Sequence, residues 1–217
     1  MAVIAVLGGT GNEGRGLALR WARAGHRVIV GSRDAARAAE SASAINETVG
    51  GDNATGAENA IAAAQAEIVV VAVPYEAQLK TLESVKDGLK GKIVVDVTVP
   101  LRPPRVARVQ LPAEGAATVA AQEMLGDDVR VVAAFQNVSA HLLEDPGADV
   151  DCDVLVCGDK RADRDVIVAL VADAGLRGLH AGSLANATAA EALTSVLIFM
   201  NRFYESPGTG IRITGIP

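Results

Sequence analysis

Val3-Ile4-Ala5-Val6-Leu7-Gly8-Gly9-Thr10-Gly11-Asn12-Glu13-Gly14 decides the fold. The first five residues are apolar and mostly β-branched, and the run stops at a glycine cluster. That pattern reads as a buried strand entering a tight turn. A helical pattern follows at residues 17–24 and ends at Gly25, and a second strand is expected at residues 27–30. Strand, glycine turn, helix and strand within about thirty residues is the size of a βαβ unit. Gly9, Gly11 and Gly14 fall at G-x-G-x-x-G spacing inside that unit. In this context the glycines mark a dinucleotide-binding turn. The turn is tight, a pyrophosphate must approach the backbone, and the helix start offers free N–H groups and a positive dipole end. Gly9, Thr10, Gly11, Asn12 and Glu13 are therefore the expected phosphate turn, with no room for side chains at Gly9 and Gly11.

The end of the second strand selects the nucleotide. An NAD site usually carries Asp or Glu there, on the ribose 2′-hydroxyl. Here the strand ends Val30-Gly31-Ser32-Arg33, with Arg37 one helical turn on. A serine donor and two arginines suit a 2′-phosphate, which points to NADP. Asp34 comes later, at a helix start, where a capping role is expected.

The rest of the chain alternates in the same way. Helices are expected at residues 35–48, 54–64, 77–89, Ala117–Leu125, 163–174 and 187–204. Strands are expected at residues 67–73, 92–97, 130–135 and 151–158. Alternation of this kind implies an α/β fold of Rossmann type, a doubly wound parallel sheet with a small C-terminal α/β region. The division expected is an NADP-binding domain over residues 1–150, and a small domain over residues 151–217 that completes the acceptor crevice. Half of the 217 residues are hydrophobic but only 3% are aromatic, so the core must be aliphatic. The last long helix holds Leu193, Val196, Leu197, Ile198, Phe199 and Met200, more than one apolar face, which suggests a homodimer contact.

The formal net charge is −6, with no clustered basic face, which speaks against nucleic acid. No apolar run approaches the roughly 18 residues of a membrane span. The N-terminus lacks a basic leader region, so a cytoplasmic protein is expected. Cys152 and Cys157 stand roughly 16 Å apart if both lie on one strand, beyond disulfide reach, and read as small packing residues. Of the three histidines, His26 and His180 read as surface residues, and His141 as the one near the crevice.

Further motifs narrow the reading. Gly8-Gly9-Thr10-Gly11-Asn12, Gly14, Gly16-Leu17-Ala18-Leu19-Arg20 and Gly25-His26 are followed by Val28-Ile29-Val30-Gly31-Ser32-Arg33. Later come Val73-Pro74-Tyr75-Glu76, Val156-Cys157-Gly158-Asp159, Ala181-Gly182 with Leu184 and Asn186, and Glu191 with Leu193-Thr194. Together these resemble the NADPH-dependent reductases of coenzyme F420, the 8-hydroxy-5-deazaflavin:NADP oxidoreductases. The resemblance runs from residue 3 to about residue 203. It implies a Rossmann domain, a small C-terminal domain, a homodimer, and hydride exchange between NADP(H) and the deazaflavin. Ser32, Arg33 and Arg37 fall on the family's 2′-phosphate contacts, where archaeal members carry Lys at the last. Tyr75, Leu79, Val99 and Ala140 fall where the nicotinamide half lies. Members carry Trp where this chain has Tyr75, and His where it has Gln136. Glutamine keeps hydrogen bonding but cannot become cationic.

Hydride transfer between two bound rings needs positioning more than a protein acid or nucleophile, so no catalytic residue is assigned. Gln136, Asn137 and Ser139 end a strand and are the expected acceptor contacts, with Gly208 and Gly210 in the tail as a cover. Arg102, Arg105 and Arg108, or Arg202 and Arg212, could form a basic lip for the acceptor's anionic tail. Two other readings stay open: an NADPH-dependent reductase of a flavin, metal chelate, small imine or carbonyl, and a non-catalytic NADP(H) sensor.

Overall fold

The computed structural model describes residues 1–145 and 147–216. Pro146 and Pro217, the latter ending the expected C-terminal region, lie outside the described residues. Six parallel strands form the main sheet: β1 (Val3–Leu7), β2 (Arg27–Ser32), β3 (Ala54–Glu58), β4 (Ile68–Val71), β5 (Ile93–Asp96) and β6 (Arg130–Ala133). Their order is β3-β2-β1-β4-β5-β6, so the order reverses at β1 and β4. Helices α1 (Asn12–Arg23), α2 (Ala35–Val49), α3 (Asn59–Gln65), α4 (Tyr75–Val85) and α5 (Ala117–Leu125) make the crossovers. Then come α6 (Ala140–Glu144), β7 (Asp153–Val156), α7 (Arg161–Asp173), β8 (Arg177–His180) and α8 (Ala187–Phe203).

The strands other than β3 are buried on both faces, which is why they read as apolar, mostly Val/Ile runs. Successive strand side chains point to opposite faces. Ile4 and Val6 accordingly pack with Leu17, Trp21 and Phe135 in one apolar cluster, and Ala5 and Leu7 with Ala62, Leu82 and Leu125 in the other. Trp21 meets Phe135 edge-on, with ring centroids 5.8 Å apart, and its indole N–H donates to Leu170 O at 2.9 Å. The register aligns Gly31, Leu7, Val71, Asp96 and Ala133 across the carboxyl edge of the sheet.

Residues 54–64 correct the sequence reading. Alanines at helical spacing suggested one helix, but Ala54–Glu58 pairs with β2 as an edge strand, and only Asn59–Gln65 is helical. Gly56 makes this work. A Cβ there would lie 2.3 Å from the Ala38 carbonyl carbon, so only glycine lets β3 pass beneath α2. The helix expected at 77–89 starts earlier, at Tyr75, and becomes a 3-10 turn at Lys86–Leu89. His26 is also corrected: it is 7% exposed, its Nδ1 accepts from Ala2 N at 3.2 Å, and its Nε2 lies 3.0 Å from Asp173 Oδ2. Residue 26 is brought against α7 by the fold, not by anything local.

β7 and β8 form a separate parallel pair. It joins the main sheet by a two-way bridge between Ala133 and Cys157, with N···O distances of 2.8 and 3.0 Å. Both cysteines are free and buried, and burial pushes the Cys157 thiol up to about 11. The tail is anchored on fully buried Asp153, which accepts two 2.7 Å bonds from Arg177 and one of 2.6 Å from Ile213 N. The Arg177 bonds hold the Asp153 carboxyl down at about 2 against the opposing effect of burial. Among the described residues no helix is long and apolar enough to cross a membrane, and no cluster of three metal-ligating side chains exists.

Candidate active site

A crevice of about 500 Å³ opens at the carboxyl edge of the sheet, where the strand order reverses. Doubly wound sheets bind ligands at this place. Gly11, Asn12 and Glu13 line it from the first turn, Tyr75 and Glu76 from the start of α4, and Thr98 and Val99 from the segment after β5. Gln136, Val138 and Thr194 close the far side.

The glycine turn is built by close approach. Gly8 has φ +80°, and a Cβ there would lie 2.4 Å from Ala72 O. A Cβ at Gly9 would meet Val6 O at 2.8 Å, and one at Gly14 would meet Gly8 O at 2.7 Å. Gly11 differs from expectation: its Cβ would meet only Gly8 O, at 3.4 Å, which is ordinary contact. The protein itself leaves room at Gly11, so any need for glycine there comes from a ligand. The first bond along α1 runs from Arg15 N to Gly11 O at 2.8 Å, so the N–H groups before it have no intrahelical acceptor.

At the end of β2, Ser32 is buried and its hydroxyl accepts from Asp34 N at 3.2 Å. Asp34 caps α2, accepting from Ala36 N at 2.9 Å and Arg37 N at 3.3 Å. Arg33 and Arg37 are exposed, and among the described residues neither makes an ion pair or side-chain hydrogen bond. Two uncommitted guanidiniums therefore stand beside the turn.

The residues expected at the nicotinamide half separate. Tyr75 and Val99 line the crevice, whereas Leu79 and Ala140 do not. Arg102 lies 5.4 Å from the Tyr75 ring centroid and 3.4 Å from its hydroxyl, so the segment after β5 closes over the start of α4. Arg212 is committed elsewhere, to Asp151 and Asp153.

The residues expected to contact the acceptor separate too. Phe135 adopts φ +73°, strained for a bulky residue, and is held by burial against Trp21. Beyond it Gln136 lines the crevice and donates from Nε2 to Asp96 O at 2.8 Å. Asn137 is buried away from the crevice, donating to Ala190 O at 2.7 Å and Thr194 Oγ1 at 3.4 Å. Ser139 lies under Gly208, whose Cβ would meet it at 2.7 Å. Gly210 sits against Cys152 in the same way, so the two glycines cover the 139–152 segment rather than the crevice. His141 is exposed and outside the crevice.

Sequence reading named Glu13 only as part of the phosphate turn, and missed two buried carboxyls behind the crevice, Asp96 and Glu191. Asp96 is fully buried; its carboxylate accepts from Thr98 N at 2.9 Å and from Gln78 Nε2. Burial pushes it up to about 6 against those bonds. Glu13 is half-buried as a residue, yet burial of its carboxyl, then the nearby Asp96 charge, pushes it up to about 8. Glu191 rises to about 7, again chiefly by burial. The available signal was Asp96 itself, a carboxylate closing an otherwise apolar strand.

Comparison with known proteins agrees with this architecture. The profile of the family described as "NADP oxidoreductase coenzyme F420-dependent" matches residues 3–100. The chain is 43% identical to an F420-dependent NADP reductase of Methanothermobacter marburgensis, covering 99% of each chain. It is 41% identical to one from Methanocaldococcus jannaschii, covering 98% of each. A crystal structure of a candidate F420-dependent NADP-reductase from Arthrobacter sp. FB24 superposes with a TM-score of 0.81 at 27% identity, covering 99% of this chain and all of that one. The shared fold, the crevice at the strand-order reversal and these near-full-length similarities place the chain in the coenzyme F420-dependent NADP reductase family.

Proposed function

We propose that this chain transfers a hydride between NADP(H) and the deazaflavin coenzyme F420. The observation that carries the reading is near-full-length similarity to F420-dependent NADP reductases, joined to a crevice that keeps the phosphate turn and two unpaired arginines beside it. The residues suit the nucleotide. Free N–H groups at the start of α1 meet the pyrophosphate, and Arg33 and Arg37, with Ser32, meet the 2′-phosphate. Tyr75 and Val99 bound the nicotinamide half. Gln136 lines the wall on the acceptor side.

The bound coenzymes supply the hydride donor and acceptor carbons, and the protein's part is to hold them in contact and keep water out. The apolar lining of Ala72, Val73, Val97, Leu101 and Val106 serves that exclusion. Residues 1–150 hold the nucleotide in this reading, and residues 151–217 complete the crevice wall through α8. The enzyme acts in the cytoplasm as a homodimer. Its contact is the exposed apolar end of α8, where Phe199 stacks on Phe203 at 5.9 Å and Phe203 meets Tyr204 at 4.9 Å.

The test is anaerobic mixing of the protein, NADPH and F420. Bleaching of the visible deazaflavin absorbance at the rate NADPH is consumed supports the assignment. NADPH oxidation that proceeds with a flavin or metal chelate but not with F420 would reject it.

A further inference from the structure

Gln78, on α4, is 0% exposed, and so is Asp96 at the end of β5. The Gln78 amide nitrogen donates to Asp96 Oδ2 and, at 3.1 Å, to Ala117 O at the start of α5. Turning the amide over would set Oε1 against both of those oxygens, so its orientation is fixed. In that orientation Oε1 is buried and has no partner among the described residues. A buried oxygen without a donor is a cost, and two apolar side chains in place of the pair would avoid it. Natural proteins keep such local violations chiefly at functional sites.

The pair stands between the walls of the crevice. Gln78 lies one turn after Tyr75 on the same side of α4, so what holds Gln78 places Tyr75. Pro74 precedes the helix and has no side-chain acceptor to cap it. Gln78 is the first residue of α4 to be buried, and Leu82 and Val85 pack only further along. The start of α4 is thus located by a hydrogen bond rather than by apolar packing. The other carboxylate oxygen, Asp96 Oδ1, accepts from Thr98 N at 2.9 Å, which sets the segment that carries Val99. The Asp96 carbonyl accepts from Gln136 Nε2 at 2.8 Å, on the third wall. Tyr75, Thr98, Val99 and Gln136 line the crevice, whereas Gln78 and Asp96 stand behind it.

We propose that Gln78 and Asp96 are positioning residues for hydride transfer: their hydrogen bond fixes the distance between Tyr75 and Val99, and with it the seat of the nicotinamide ring. The inference rests on the crevice being an NADP(H) site. In that reading the phosphate turn after β1 and Arg33 after β2 carry most of the binding, so binding strength and ring placement are set by different groups. Loosening the pair lets the ring drift while the nucleotide stays bound. A misplacement of roughly 1 Å can cost on the order of a hundredfold in rate.

The experiment uses the intact protein and two variants. Gln78→Met keeps the size of the side chain and removes the amide. Asp96→Asn keeps an oxygen for Thr98 N and turns a donor toward Gln78. Calorimetry gives the NADPH dissociation constant, fluorescence gives the emission of bound NADPH, and a single turnover with saturating F420 gives the rate constant of hydride transfer. In both variants the dissociation constant should stay near its original value and the emission should move toward that of free NADPH. The rate constant should fall on the order of tenfold or more. A purely structural role would lower the folded fraction, and hence the amplitude of the turnover, and leave the rate constant and the bound emission as they were; that result overturns the proposal. Loss of the fold in both variants also overturns it, because the pair then carries the structure. If the unmodified protein binds NADPH but passes no hydride to F420, the acceptor reading falls, and the emission of bound NADPH alone decides the placement. Failure of the unmodified protein to bind NADPH overturns both.

Discussion

Glu191, in the second turn of α8, caps α5 from 73 residues away: its carboxylate accepts from Thr118 N at 3.1 Å and Thr118 Oγ1 at 2.8 Å, and from Ala117 N at 2.6 Å. The first turn of α5 offers no local cap, since Ala116 stands at its N-cap. A long-range carboxylate supplies what the sequence around α5 lacks. Removing it leaves three donors unpaired in a buried place. Glu191→Ala should cost about 3 kcal/mol, read as a lowered denaturation midpoint at unchanged slope. An unchanged midpoint would show that water replaces the cap.

The same carboxyl gives the protein a pH dependence whose sign can be worked out. Glu13, Asp96 and Glu191 all hold protons more tightly folded than unfolded. Their stabilisation is full below the ordinary carboxylate range, near pH 4. It is lost as pH rises through about 6, 7 and 8 for Asp96, Glu191 and Glu13 respectively. Asp153 acts oppositely: its contribution is present above its unfolded value and lost only as pH falls through about 2. Melting temperature should therefore peak in mild acid and fall toward pH 8. Calorimetric scans of Glu191→Gln should show a shallower fall between about pH 5 and pH 8. A fall of the same steepness would mean that Glu191 does not titrate there.

Arg33 is exposed, unpaired among the described residues and beside the phosphate turn. In the proposed complex it meets the 2′-phosphate, which NADH lacks. Arg33→Ala should weaken NADPH roughly 10- to 150-fold, corresponding to about 1.5–3 kcal/mol for a charge-assisted bond, and leave NADH nearly unchanged. Equal losses for the two nucleotides in calorimetric titrations would show that Arg33 acts on the fold.

The first βαβ unit was legible because its signals are local: an apolar strand, glycines at fixed spacing and a helix within thirty residues. The same locality explains the misreading of Ala54–Glu58, whose strand identity comes from pairing with β2 and from Gly56 passing under α2. Glu13 and Asp96 belong to one cluster only because the strand order brings β5 next to β4, which no spacing in the sequence encodes. Arg20 shows the limit best. Nothing local to the sequence tells what it does, and it is 7% exposed. It donates to the carbonyls of Leu142, Leu143, Asp145, Ala148 and Ala174 at 3.0–3.2 Å.

That arrangement makes Arg20 an organiser of the chain after α6 begins, where the carbonyls of Leu142, Leu143, Asp145 and Ala148 turn toward α1. Arg20→Leu should leave most of these carbonyls without a donor and cost about 4 kcal/mol or more. For a chain of this length that is roughly 8–16 °C in melting temperature. A shift of only a few degrees would show that the segment can turn its carbonyls to water.

Asn137 and Gln136 are neighbours with the same kind of side chain, and the structure gives them opposite roles. The strained turn at Phe135 sends the Gln136 side chain toward Asp96 and the crevice, while the Asn137 amide goes into α8. Asn137→Ala deletes a bond to Ala190 O inside the core. It should lower stability by about 1–3 kcal/mol and leave the Michaelis constants of both coenzymes near their original values. Gln136→Ala removes a side chain that lines the crevice wall and holds the Asp96 carbonyl. It should raise the Michaelis constant for F420 several-fold while that for NADPH changes little, if substrate release is fast relative to chemistry. The comparison needs both variants. Loss of stability in Asn137→Ala with intact kinetics, beside altered F420 kinetics in Gln136→Ala, assigns the acceptor wall to Gln136 alone. If the NADPH constant rises instead in Gln136→Ala, that side of the crevice belongs to the nicotinamide, and the deazaflavin must lie nearer Tyr75 and the segment that carries Arg102.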